Sequence, residues 1–389
     1  MSDNTSNVTK LSVIRPRRLW RVILLCLAVA FVAAALVLFL FSEELDLDSA
    51  LRRLRYGAAE QREGYGSFTF EPHATNRYAL FDGGVAIAFS SGLETRGENG
   101  VVTHSAATIM EEPAVKAGKD LLLHYSVGGS ELSLIHAERG EVLKLSSEGG
   151  FYDADLSSGG TLCTAAAESG YKTVLRVYDE DQKEVYRWFS ASRFMPLCAV
   201  SPDAKRLAAV SVGQSEGSFA SVLHLFTTRN EDPSAEIGLG GDLVYDLRYT
   251  ENGTLCAVTE SALLWFNAEG EETGRCDILS GYLSDFDLAG DKFSLLKLNM
   301  FQTGEQCTVV AVDEKGEELG SVYYAEPVLD ISANGKYAAV LTARKLTIYR
   351  RDLSVYAECA NETGASKVLL RPDGTAFLLT DSGASLFIP

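Results

Sequence analysis

The chain has 389 residues, 46% of them hydrophobic, and a formal net charge of −18. That apolar content supports a substantial core and excludes global disorder. The acidic balance excludes nucleic acid as a partner, because phosphate backbones require neutralisation by Lys and Arg.

The charge is unevenly placed. Residues 1–41 carry Lys10, Arg15, Arg17, Arg18 and Arg21 against Asp3, a net of +4, so the remainder carries −22. Val22–Phe41 is a run of twenty apolar residues without a charge. At about 1.5 Å rise per residue it spans roughly 30 Å, the thickness of the hydrocarbon core. Four arginines precede it and SEELDLD follows. The positive-inside rule then predicts a single-pass plasma-membrane protein. Residues 1–21 form a short cytoplasmic tail, 22–41 the transmembrane helix, and the rest lies outside. A cleaved signal peptide would have a shorter apolar region and a small-residue cleavage site after it. Here FLFSEELD follows the run instead.

Residues 42–65 read as a juxtamembrane helical stalk. Leu47, Leu51 and Leu54 fall on one helical face, acids open the segment, and arginines follow, as the helix dipole favours.

From residue 66 a repeat takes over. Short apolar strands flank turns in DADLSSGG–TLCTAAA, LCAVSPDA–KRLAAVSV, YDLRYTENG–TLCAVTE, DFDLAG–DKFSLLKL, VLDISANG–KYAAVLT and LLRPDG–TAFLLT. The residues closing these turns are Gly160, Ala204, Gly253, Asp291, Gly335 and Gly374, with weaker copies at Gly84 and Gly118. A second glycine signature runs in phase, at Gly100, Gly140, Gly270 and Gly316. YDEDQKEV, from Tyr178, occupies the same place without a glycine.

Each unit thus offers four strands in about 40–45 residues, the size of a β-propeller blade. Second strands such as KYAAVLT are continuously apolar, as expected of strands buried on both faces. The fold expected is all-β, an eight-bladed (alternatively seven-bladed) β-propeller over 66–389; a sandwich or two smaller β domains would also accommodate the strands. The last unit, ending at Pro389, lacks a fourth strand. GSFTFEPH, residues 66–73, is expected to supply it and close the ring.

Ser201-Pro202-Asp203 and Arg371-Pro372-Asp373-Gly374 resemble the turns of WD40-like and YVTN-type propellers. The Gly-His and Trp-Asp dipeptides of WD40 blades do not occur. The layout of basic tail, anchor and acidic repeats resembles a family of single-pass Firmicutes proteins of unknown function. That resemblance implies a propeller fold and an extracytoplasmic location, and it transfers no catalytic residues.

Several patterns bear on chemistry. Gly213–Gly217 (GQSEG) matches G-x-S-x-G, but a nucleophile elbow needs a strand-to-helix turn. Here strands lie on both sides, so an enlarged hairpin is expected. Cys163, Cys198, Cys256, Cys276, Cys307 and Cys359 lie in predicted strands without CxxC spacing and read as small core residues. Disulfides remain open in an oxidising compartment. The five histidines show no metal spacing.

The acids of the first strands are the candidate site. Counted back from the turn, Asp153 and Asp246 share one register, and Asp155 and Asp330 another, two residues along. Asp285 and Asp287 fit both if their turn is one residue short. A period of two places all six on one strand face, toward the central channel. There they would bind Ca²⁺ or a cationic ligand, or else brace their own turns. No other cofactor is implied. The function expected is a non-enzymatic envelope module that meets a protein or cell-wall partner at its rim or channel mouth. The alternatives are a channel enzyme of quinoprotein or lyase type, or a sensor subunit of a membrane complex.

Overall fold

A computed structural model describes residues 47–57, 66–73, 75–215 and 217–389, with isolated positions between 24 and 32. The predicted anchor, 22–41, falls almost wholly outside the described residues. Among the described residues no helix is long and apolar enough to cross a membrane. The chain divides into two units, Met1–Gln61 and Arg62–Pro389. In the first, a helix runs over Leu47–Tyr56, with Asp48 in its first turn and Arg53 and Arg55 in its last. Those charges oppose the ends of the helix dipole.

The second unit is a β-propeller of eight four-stranded antiparallel sheets. Seven blades are consecutive in the chain: Arg77–Ala107, Pro113–Ser146, Phe151–Ser190, Phe194–Gly238, Val244–Asp277, Tyr282–Tyr324 and Val328–Ala360. The eighth takes three strands from Lys367–Phe387 and its outermost strand from Phe68–Thr69. Phe68 pairs with Ala384, Thr69 pairs with Gly383, and the Phe70 N–H donates to the Ser382 carbonyl at 2.9 Å. Phe70 then packs into a cluster with Val85, Ile87, Phe377 and Leu379, which joins blade 8 to blade 1.

The core lies between blades. Second strands such as Leu255–Thr259, Tyr337–Thr342 and Ala376–Leu379 are buried along their whole length. Each covers one neighbour with each face, which is why the sequence there is apolar without alternation.

Turn chemistry explains the repeat. Gly160, Ala204, Gly253 and Gly374 all adopt positive φ, in turns of five or six residues. The faint signatures of blades 1 and 2 have a simple cause. Their first hairpins close with two residues, between Phe81 and Gly84 and between Gly118 and Leu121. In YDEDQ, Gln182 takes the left-handed conformation that glycine takes elsewhere, with φ of 60°.

Strand direction gives the propeller two distinct faces. One carries the turns between first and second and between third and fourth strands. The other carries the second-to-third hairpins and the blade-to-blade connections. These are called here the turn face and the loop face. The outermost strand of blade 8 runs from turn face to loop face, so the chain enters the propeller at the turn face.

Candidate functional site

The innermost strands carry the predicted acids. Asp153, Asp246, Asp285 and Asp330 occupy one structural slot, each just after a register shift in its strand. The sequence spacing groups Asp330 with Asp155, and the structure corrects this. The blade 7 hairpin encloses only two residues, between Asn334 and Tyr337, whereas five lie between Leu156 and Leu162. The shorter turn shifts the count by the width of one slot.

Most of these carboxylates bond across a seam to the next blade. Asp153 Oδ2 accepts the Cys198 N–H at 3.0 Å, and Asp155 Oδ2 accepts the Val200 N–H at 3.2 Å. Asp287 Oδ2 accepts the Ala333 N–H at 2.8 Å. Asp330 Oδ2 accepts the Val368 N–H at 2.8 Å while Oδ1 meets Lys367 Nζ at 2.6 Å. These four acids bridge to the next blade, and Asp287 also braces its own hairpin, where Oδ1 accepts the Ala289 N–H at 2.8 Å. Charge-assisted bonds of this kind are about twice as strong as neutral ones.

Lys116 of blade 2 joins the set, 3.4 Å from Asp153 and 3.7 Å from Asp155. Burial works against its ammonium, but the two carboxylates outweigh it and hold its pKa well above the usual lysine value. Tyr125 donates to Asp153 Oδ1 at 3.0 Å. Burial raises the Asp155 pKa, partly offset by Lys116. Among the described residues no three His, Cys, Asp or Glu side chains are grouped to hold a metal ion.

The seam between blades 5 and 6 is built differently. Asp246 turns back to accept its own neighbour's N–H, from Leu247, at 2.9 Å. Asp285 does the same with Phe286 at 3.0 Å. The second slot of blade 5 holds Arg248, which has no oxygen to offer a backbone amide. So no carboxylate bridge crosses this seam among the described residues, and the two innermost strands approach each other less than at any other seam. Burial pushes the Asp246 carboxyl up to about 6, partly offset by Lys116.

The other sequence candidates have structural places. GQSEG lies in a long hairpin whose ladder runs out to the Ser215–Ser218 pair. All the described cysteines are free thiols. Cys163 and Cys198, from blades 3 and 4, lie with their Sγ atoms 3.4 Å apart. One constellation was not legible in the sequence, because it forms across two neighbouring strands and the connection that precedes blade 4. Ser211 Oγ lies 2.7 Å from His224 Nε2, and Arg193 Nη1 lies 3.2 Å from His224 Nδ1. Glu236 Oε1 lies 3.4 Å from the same Nδ1 and pairs with Arg193 at 2.6 Å, so this nitrogen faces both a donor and an acceptor. Burial and Arg193 lower the His224 pKa.

Exposed apolar side chains are sharply segregated. Ile109, Phe219, Leu279, Tyr282, Phe301 and Tyr323 are all exposed on the loop face. On the turn face the exposed large apolar residues are the valines Val101, Val102, Val185 and Val355. The loop face is also acidic, with Glu111, Glu112, Glu148, Glu260, Glu305 and Glu362 exposed. Of its basic residues, Arg193 pairs with Glu236 at 2.6 Å and Arg344 with Glu326 at 3.4 Å.

Residues 60–385 match DUF5711, a family of unknown function. The chain belongs to that family. No curated protein matches it in sequence. In structure this DUF5711 chain is similar to the Dos1 propeller, at 8% identity and a TM-score of 0.57, over 85% of this chain and 95% of that one. It is also similar to the C-terminal WD40 domain of Sif2, at 12% identity and a TM-score of 0.56, over 83% and 97%. BamB from Moraxella catarrhalis matches at 13% identity and a TM-score of 0.50, over 83% and 98%. At these identities the likeness is one of fold, and it places the DUF5711 chain among β-propellers.

Proposed function

We propose that this protein is a membrane-anchored, extracytoplasmic binding module that presents its loop face to a protein or cell-wall partner. The observation that carries the reading is the segregation of exposed aromatic and large aliphatic side chains onto the face opposite the chain's entry. Contiguous exposed apolar surface marks interaction sites. The anchor at 22–41 tethers the protein to the membrane, and the partner meets the loop face. The net negative charge keeps the propeller off an anionic membrane surface. The channel acids serve chiefly as structural bridges, because their oxygens already accept backbone N–H groups. That geometry favours a binding role over a channel enzyme or a sensor subunit.

Photo-crosslinking in native membranes tests this. A crosslinker at Phe301 on the loop face should capture the same envelope partner reproducibly, and one at Val355 on the turn face should not. Capture from Val355 alone, or a stoichiometric cofactor in the purified protein with no capture at either position, would overturn the reading.

A further inference from the structure

We propose that the seam between blades 5 and 6 is an anchor pocket, and that its occupant is a cationic polypeptide segment inserting one bulky apolar side chain. This rests on the loop-face reading above and specifies where the partner is gripped.

The pocket lies at the outer part of the seam, between the fourth strand of blade 5 and the second to fourth strands of blade 6. At the turn face the two blades touch closely. A Cβ on Gly274 would lie 2.5 Å from the Glu314 carbonyl oxygen, and Gly316 faces the Arg275 backbone equally closely. That contact shuts the turn-face end of the seam. Toward the loop face, beside the apolar cluster of Val258, Leu263, Leu296 and Val310 that joins the two blades, a cavity of about 440 Å³ opens. Its lining includes Ile278, Leu296, Leu298, Met300 and Val310, with Ser321 on its exposed outer side. The volume lies in the range of ligand-binding pockets, about 300–1,000 Å³. A buried apolar anchor ringed by weaker contacts is the usual energetic centre of a protein interface.

The surroundings define the occupant. Leu279 and Met300 line the cavity and are also exposed beside it, and the exposed Phe301 follows Met300 in the same loop. The apolar contact therefore extends past the cavity, which suits a polypeptide rather than a small molecule. The charged lining residues are Asp277 and Glu318; Asp277 pairs with Arg275, while Glu318 lies exposed on the blade 6 side. Among the described residues no lysine or arginine lines the pocket. A partner rich in Lys and Arg complements this rim and is steered to it by the acidic loop face.

The test pans a phage-displayed dodecapeptide library on the full-length protein in detergent. Synthetic copies of the enriched peptides are then measured against wild type, Ser321→Trp and Phe219→Ser. Ser321→Trp fills the pocket from its exposed side; Phe219→Ser alters the loop face at blade 4. The expected result is enrichment of peptides that combine Trp, Phe or Leu with several Lys or Arg. Their affinity should fall at least tenfold on Ser321→Trp and less than twofold on Phe219→Ser. Bound peptide should also protect the Cys276 thiol, which lines the pocket, from alkylation in the wild-type protein; this second readout does not depend on any variant folding. Peptides that bind Ser321→Trp unchanged and leave Cys276 unprotected overturn the pocket. If the same peptides are lost on Phe219→Ser, the pocket fails while the loop-face reading stands. Enrichment of acidic peptides, or a Ser321→Trp effect confined to self-association, also overturns the proposal.

Discussion

Asp330 accepts the Val368 backbone N–H across the seam between blades 7 and 8, at 2.8 Å. One carboxylate thereby satisfies an amide that lies on another sheet. The same oxygen pair also meets Lys367 at 2.6 Å. Removing it leaves a buried N–H without its acceptor, and such orphans are costly.

Asp330→Ala should therefore destabilise the propeller by about 3 kcal/mol, and Asp330→Asn, which keeps an acceptor, by clearly less. Chemical denaturation measures both. An alanine variant as stable as wild type would show that the bridge contributes nothing.

Asp246 gives a pH signature. Its carboxyl is pushed up to about 6 from an ordinary value of 3.8. Between those values the folded state binds more protons at this site than the unfolded state. The site's contribution is present at the acid end of that window and is lost as pH rises through 6. Asp246→Asn should thus be more stable than wild type at pH 7.5, by roughly 2 kcal/mol, with the advantage shrinking below pH 5. Thermal melts across pH 4–8 read this directly; a constant difference at every pH would refute it.

His124 has the opposite sign. It is buried, neither ring nitrogen has a hydrogen-bond partner, and burial lowers its pKa to about 4. The unfolded state binds the proton first, so the stability contributed by the neutral ring is lost as pH falls from about 6.5 toward 4. That loss is roughly 3 kcal/mol. His124→Leu should flatten the acid limb of the stability curve. If the variant loses stability at acid pH as steeply as wild type, the histidine is not the cause.

Closure depends on a very short ladder. Deleting 66–73 strips blade 8 of its outermost strand and removes Phe70 from its cluster. The exposed edge of Gly383–Phe387 then invites pairing with another chain. Light scattering should detect aggregation of the truncated protein at concentrations where the full chain is monodisperse. Equal stability and no aggregation would mean that the ring does not need its clasp.

Much of the architecture was legible because the turns are chemically demanding. A residue with positive φ recurs at Gly160, Ala204, Gly253 and Gly374, and the continuously apolar second strands between these turns fit burial on both faces. Where hairpins close with two residues, as at Asp82-Gly83 and Lys119-Asp120, the signature thins and only the apolar runs remain. The same economy in blade 7 misplaced Asp330 by one slot. The acids themselves were visible, but their bridging role was not. A backbone N–H such as that of Val368 leaves no trace in residue identity. The pocket was equally hidden, since its lining is gathered from separate strands and loops of two blades, such as Ile278, Leu296 and Ser321.

The clasp also orders events in time. Phe68 and Ala384 lie more than 300 residues apart, yet they form one rung. During synthesis the strand that completes the ring emerges among the first and must wait, unpaired, for the last. Blades 1 to 7 can each assemble from local hairpins as they emerge, but the joining step pairs residues from opposite ends of the propeller sequence. Contacts of that kind slow folding and lengthen the exposure of unpaired edges. The rate-limiting step should therefore be ring closure, so a slowly translated or truncated chain would accumulate as an open, seven-bladed arc.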